Sequence, residues 1–178
     1  ICKRIIEQTN AKKLAFGPDK NLADWVSKKT SIPMDILPPE GHCYVHNQFT
    51  MDQVNNFRRS YPNAKLIVHP ECPPDVVDAA DFIGSTKAMY TYIQDHSSQT
   101  IGIGTELGFI HYAHARHPST NLIPLSTQAT CFTMKKFTLE TIEYTLEHLE
   151  DESLQIHIDE RLRQKVLKPL DKMIELSN

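Results

Sequence analysis

The sequence lacks most of the features that assign a protein at a glance. It has no apolar run approaching the ~20 residues that a membrane-spanning helix requires. It has no large surplus of either charge: 19 Lys and Arg against 22 Asp and Glu leave a formal net charge of -3. Nothing electrostatic therefore points to nucleic acid or an anionic membrane as a partner. Cysteine is sparse, with four in 178 residues, and no two form a CxxC pair. That argues against a zinc ribbon or a thioredoxin-type site. The opening ICKRIIEQTN has no apolar signal-peptide core and no small-residue cleavage site. Cys2, Cys43, Cys72 and Cys131 accordingly read as reduced thiols of a cytoplasmic protein rather than as disulfides. Low-complexity tracts and long Gly/Ser linkers are missing, and so is an initiator Met. The first residues read as the interior of an amphipathic helix, so the chain is expected to begin inside a longer protein.

What remains is an alternation of short apolar runs with amphipathic stretches. Residues 13–16, 34–37, 65–68, 81–84, 100–104 and 121–125 read as strands. Residues 22–29, 51–61, 85–96, 105–116 and 139–150 place apolar side chains on one helical face. Thr50 and Thr138 each precede such a face as helix N-caps. Residues 156–176 read as a short strand followed by a charged amphipathic helix. Strand–helix alternation with few hairpin signals predicts an α/β fold of small three-layer units with short parallel sheets. The clustered Pro33, Pro38 and Pro39 mark the best candidate boundary.

In open α/β sheets, chemistry gathers in the loops at the carboxyl ends of strands. His69-Pro70-Glu71 follows the strand KLIV there and offers a proton donor beside a proton acceptor, stiffened by Pro70. Both could equally be solvated loop residues. Gly84-Ser85-Thr86 opens a helix with free N–H groups and two hydroxyls, either an anion site or a plain N-cap. Gly104-Thr105-Glu106 has the same form, but its acidic residue counts against an anion. Cys43 and His46 are spaced so that one tight turn aims both at one centre, though either alone is as easily a packing group. Cys131 stands in a loop with Lys135 and Lys136 behind it, an inert thiol and a solvated pair unless something brings them together. The remaining histidines outside these loops read as surface or packing residues. From the residues alone, the chain is an α/β protein with a plausible acid–base and anion site and no reaction assigned.

The stretches FGPDKNLADWV at 16–26, GHCYVHNQF at 41–49 and YPNAKLIVHPECPPDVVDAADFIGST at 61–86 together resemble the quinolinate synthase family. GTELG at 104–108, PLSTQATCFTMKKFTLE at 124–140 and IDERLRQKVLKPLDKM at 158–173 extend the resemblance over nearly the whole chain. It implies three α/β/α domains about a pseudo-threefold axis, each sending one cysteine to a central [4Fe-4S] cluster. On that plan residues 1–38 end the second domain, 39–130 form the third, and 131–178 supply the last ligand loop, a helix, a short strand and a closing helix. Cys43 and Cys131 match two ligands, and the third is expected upstream; Cys2 and Cys72 fall outside the pattern. The reaction implied is the condensation of iminoaspartate with dihydroxyacetone phosphate to quinolinate, a transferase step of NAD biosynthesis functionally linked to L-aspartate oxidase. Glu71 resembles the acid–base residue, His46 and His69 substrate-contacting histidines, and Ser85 and Thr86 the hydroxyls of an anion site. Lys135 and Asp19 are weaker correspondences. Alone, the chain is expected to be an inactive portion. Two rivals stand beside this reading: a diphthamide-type radical S-adenosylmethionine enzyme, and a non-catalytic anion-binding α/β domain.

Overall fold

The computed structural model describes residues 1–177. In chain order its elements are α1 (Cys2–Thr9), β1 (Leu14–Phe16), α2 (Lys20–Thr30), β2 (Met34–Ile36), α3 (Met51–Ser60), β3 (Lys65–Val68) and α4 (Pro74–Asp78). They continue as β4 (Phe82–Ile83), α5 (Thr86–Asp95), β5 (Thr100–Gly104), α6 (Leu107–Arg116), β6 (Asn121–Pro124), α7 (Leu139–Glu147) and α8 (Glu160–Ser177). Single 3₁₀ turns occupy His46–Gln48, Met134–Lys136 and Glu152–Leu154. The α/β class expected from sequence is borne out. Every strand pairing is parallel: β1 with β2 in one sheet, and β4-β3-β5-β6 in the other. The chain forms two compact units, one of Lys12–Cys131 and the other of Ile1–Ala11 with the residues from Phe132 onward.

The four-stranded sheet follows from alternation on its central strands. Leu66, Ile67 and Val68 of β3 are all fully buried, as expected of a parallel strand covered on both faces. Leu66 and Val68 join Val45, Phe49, Val54, Phe57 and Val76 on one face, and Ile67 joins Met89, Ile93, Ile101, Ile103 and Ile110 on the other. In β5 the two isoleucines point to the second group, and Gly102 and Gly104 turn to the first. Gly102 is needed because the Phe57 ring lies directly on it: a Cβ there would come within 2.4–2.8 Å of three ring carbons. Gly102→Val is therefore expected to destabilise the domain by about 1–3 kcal/mol through overpacking. Its urea midpoint should fall, while that of a variant at an exposed helix position such as Lys87→Ala should not. Pro124 is tolerated because β6 is an edge strand.

Helix starts are set by side-chain caps. Thr50 and Thr138 both form capping boxes, with Gln53 and Thr141 respectively. Asp19, Ser85 and Glu106 cap α2, α5 and α6. The strand expected near residue 156 is not formed; this is a correction. Residues 155–159 are irregular, and Ile156 is 90% exposed. β-propensity cannot hold a strand whose backbone groups have no ladder partner. The short α4 appears where a loop was expected, started by Pro74 at its first position.

An internal repeat also emerges. β1-α2-β2 leads to Cys43, a 3₁₀ turn and the Thr50-capped α3. In the same order β5-α6-β6 leads to Cys131, a 3₁₀ turn and the Thr138-capped α7. Phe49 and Phe137 precede the two capping threonines, giving a shared Cys-x5-Phe-Thr pattern. Their environments differ: Phe49 is 2% exposed and Phe137 is 77% exposed.

Candidate active site

The loops after β2, β3 and β5 converge on a small polar group. The 3₁₀ turn begins with His46, which is buried. Its Nδ1 lies 3.0 Å from Glu71 Oε2 and its Nε2 lies 2.9 Å from the buried Thr105 hydroxyl. The His69 ring stacks on it, with centroids 4.3 Å apart and planes 14° from parallel. The hydrogen bond from His46 holds the Glu71 carboxyl below its ordinary range, against a smaller opposing effect of burial. An ionised carboxylate only accepts, so His46 Nδ1 carries the proton and Nε2 accepts from Thr105 when the ring is neutral.

His69 is the opposite case. Burial, reinforced by the neighbouring His46 ring, pulls its imidazole from 6.5 down to about 4. It is therefore neutral near pH 7. Its Nδ1 accepts the Glu71 backbone N–H at 3.4 Å, so the 3.6 Å approach of that nitrogen to the Glu71 carboxylate is not an ion pair. The ring proton sits on Nε2, leaving one donor for a ligand. Buried scaffolding fixes the loop: Asn21 Nδ2 donates to the Glu71 carbonyl and to Asn47 Oδ1, each at 3.0 Å. The fully buried Cys72 donates its thiol to the Gly104 carbonyl at 3.4 Å, tying the loop to β5.

These two groups give stability a defined pH response. Unfolded, His69 protonates near 6.5 but in the fold only near 4. Between those values the unfolded chain binds more protons, so stability falls as pH falls. Glu71 adds the same sign lower down: its stabilisation is present above its unfolded pKa and is lost as pH drops through the depressed folded one. The urea midpoint should decline from about pH 6.5 toward 4, and His69→Gln should flatten the upper part of that decline. A wild-type midpoint unchanged to pH 4 would contradict this assignment.

Cys43 joins this group. Ligand atoms of Cys43, His46 and Glu71 all lie within 4.8 Å of one another, a set able to hold a metal. The expected convergence of Cys43 and His46 through a tight turn is thus what the fold provides. Burial raises the Cys43 thiol, so metal binding there must expel a proton. Cys131 is half-buried, and its sulfur accepts from the Tyr44 hydroxyl at 3.5 Å, which sets its loop beside the residue that follows Cys43. Pro18, Asp19, Gly41, His42, Cys43 and Glu71 line an open cleft over the group.

Other candidates lie elsewhere. Ser85 accepts from the Ala88 amide at 3.3 Å as the cap of α5, and it lines a different cleft with Phe82, Lys87 and Asp95. Thr86 is the first residue of that helix. Lys135 stands in the 3₁₀ turn of the other compact unit. Asn21 is an addition that the sequence did not single out; Thr105 stood out only as part of the Gly104-Thr105-Glu106 loop and not as the partner of His46.

The model of one protein family, quinolinate synthetase A protein, matches residues 1–175. The chain belongs to that family. It is 39% identical over 172 residues to the quinolinate synthase of Thermotoga maritima, an alignment covering 97% of this chain and 56% of that protein. It is 37% identical over 174 residues to the quinolinate synthase of Thermococcus onnurineus, covering 98% and 56%. With the quinolinate synthase of Methanocaldococcus jannaschii the identity is 35% over 177 residues, covering 97% and 57%. The chain thus spans a little over half the length of these relatives. The family match decides against the diphthamide-type rival. Among the described residues no helix is long and apolar enough to cross a membrane.

Proposed function

We propose that this chain is part of a quinolinate synthase, which condenses iminoaspartate with dihydroxyacetone phosphate to quinolinate for NAD biosynthesis in the cytoplasm, with L-aspartate oxidase as functional partner. The observation that carries the reading is the meeting of Cys43, His46 and Glu71 within 4.8 Å in a chain of this family. We assign a [4Fe-4S] cluster to Cys43 and Cys131, with a third thiolate from outside this chain. The donor set fits: both cysteines are reduced, partly accessible and in adjoining loops. When bound, the cluster supplies a Lewis-acidic iron with no protein ligand.

The chain's own residues then divide the remaining work. Glu71, ionised and held by His46, accepts a proton from substrate during isomerisation and dehydration. The Nε2–H of neutral His69 donates to a substrate carboxylate or hydroxyl. His46 orients Glu71 and, through Thr105, is itself held in one tautomer. Ser85 and Thr86 we assign to an anionic group of substrate, and Lys135 more weakly to the same role. The domain limits 1–38, 39–130 and 131–178 are part of the reading, supported by the separate β1-β2 sheet. That the chain is an incomplete and inactive portion is supported by its 56% coverage of the Thermotoga relative.

The test is anaerobic reconstitution of the chain and of its full-length gene product with iron and sulfide, recording visible absorption and quinolinate formation. Cluster and activity in the full-length protein alone are expected. Cluster and turnover in this chain alone would overturn the ligand count. A full-length protein that takes up no cluster would remove the enzyme reading and leave a non-catalytic anion-binding domain.

A further inference from the structure

The two cysteines assigned to the cluster stand at the same point of the internal repeat, and so do two carboxylates. Asp19, 4% exposed, caps α2 with Oδ1, which accepts the Leu22 amide at 2.7 Å. Its Oδ2 accepts the amide of Cys43, also at 2.7 Å. Glu106 caps α6 with Oε2, which accepts the Gly108 amide at 2.6 Å, while Oε1 accepts the amide of Cys131 at 3.3 Å. Carboxylate and cysteine are 24 residues apart in the first case and 25 in the second. Capping alone does not require this arrangement. Ser, Thr and Asn cap as well as Asp, and Thr50, Ser85 and Thr138 do so in this chain. A carboxylate has a separate acceptor oxygen for each task, one for the helix start and one for the cysteine amide.

We propose that Asp19 and Glu106 are positioning residues for Cys43 and Cys131, each setting its cysteine's backbone and the electrostatics around its sulfur. The proposal rests on the cluster assignment above. Two physical effects follow from the geometry. Each clasp ties a cysteine to a strand–helix junction, so the direction of its Cα–Cβ bond is inherited from the sheet and not from a free loop. Each clasp also takes the cysteine's own N–H away from sulfur and places a formal negative charge nearby. Hydrogen bonds to cluster sulfurs and the net charge around them tune a cluster's reduction potential. Withholding the N–H and adding negative charge both act to lower it.

The variants that separate this role from capping are Asp19→Asn, Asp19→Ser and Glu106→Gln. Each keeps one oxygen for the helix N–H and loses the charged second acceptor. Made in the full-length protein and reconstituted anaerobically, they should retain helix content by circular dichroism. They should lose iron to a chelator several-fold faster than wild type, and their midpoint potential should move positive. Asp52→Asn, at an exposed carboxylate in the first turn of α3, should change neither. Folded variants with wild-type chelator kinetics and potential would reduce Asp19 and Glu106 to plain caps and overturn the proposal. If Asp19→Asn fails to fold, Asp19→Ser and Glu106→Gln decide by the same readings. A wild-type protein that binds no cluster overturns the functional reading, and this proposal with it; a loaded wild type with indifferent variants overturns the proposal alone.

Discussion

Cys43→Ser in the full-length protein is expected to abolish the cluster and quinolinate formation together, and Cys131→Ser to do the same. A serine hydroxyl is a poor replacement for a thiolate at iron, and neither loop offers another thiol in its place. Cys72 supplies the contrast. It is fully buried and spends its thiol on the Gly104 carbonyl, a contact that Ser can imitate. Cys72→Ser should therefore keep its iron. The measurement is iron and acid-labile sulfide per chain beside visible absorption. Loss of cluster in Cys72→Ser with retention in Cys43→Ser would reverse the ligand assignment. Because Cys43 lies beside His46 and Glu71, its loss also leaves the acid–base group intact but without the metal beside it. Substrate binding should then survive better than turnover.

The fold was legible where one local signal was sufficient. The strands at 65–68 and 100–104 come out with the expected bounds, because each is an apolar, β-branched run closed by a polar loop or Gly. Helix limits move by one to three residues where a cap intervenes, as with Ser85 before α5 and His148 after α7. The failure at residue 156 has the same cause seen from the other side. Propensity is local, but a strand exists only if a neighbour accepts its hydrogen bonds. The repeat was readable in Cys-x5-Phe-Thr, a pattern too sparse to notice until both copies are seen to cap helices through Thr50 and Thr138.

The site was legible by chemistry and illegible by connection. HPE after a strand and Cys-x-x-His announce themselves through the groups they carry. Asn21, Thr105 and Asp19 act through partners on distant loops, for instance Asn21 through the Glu71 carbonyl. No spacing rule exposes such partners. Glu106 is the instructive case. Read along the chain, its charge argues only against an anion at that loop. Folded, the same charge caps α6 and holds the Cys131 amide.

Glu71→Gln carries the second large effect. The substitution keeps the side chain's size and one acceptor oxygen, so His46 Nδ1–H retains a partner and the loop is still anchored by Asn21. Cys43 is not touched, and iron content should equal that of wild type. What disappears is the basic oxygen, and with it the proton transfer assigned to this residue. Loss of general acid–base catalysis predicts a fall in kcat on the order of 10²–10⁴-fold, with a much smaller change in KM because the contacts to His46 and His69 are preserved. The depressed pKa of Glu71 adds a second signature. In wild type the acidic limb of the rate profile should lie below the ordinary carboxylate range, since the His46 hydrogen bond favours the ionised form. His46→Ala should move that limb upward while leaving the cluster in place. A Glu71→Gln enzyme with near-normal kcat would take Glu71 out of the proton transfer and leave His69 as the residue to test next.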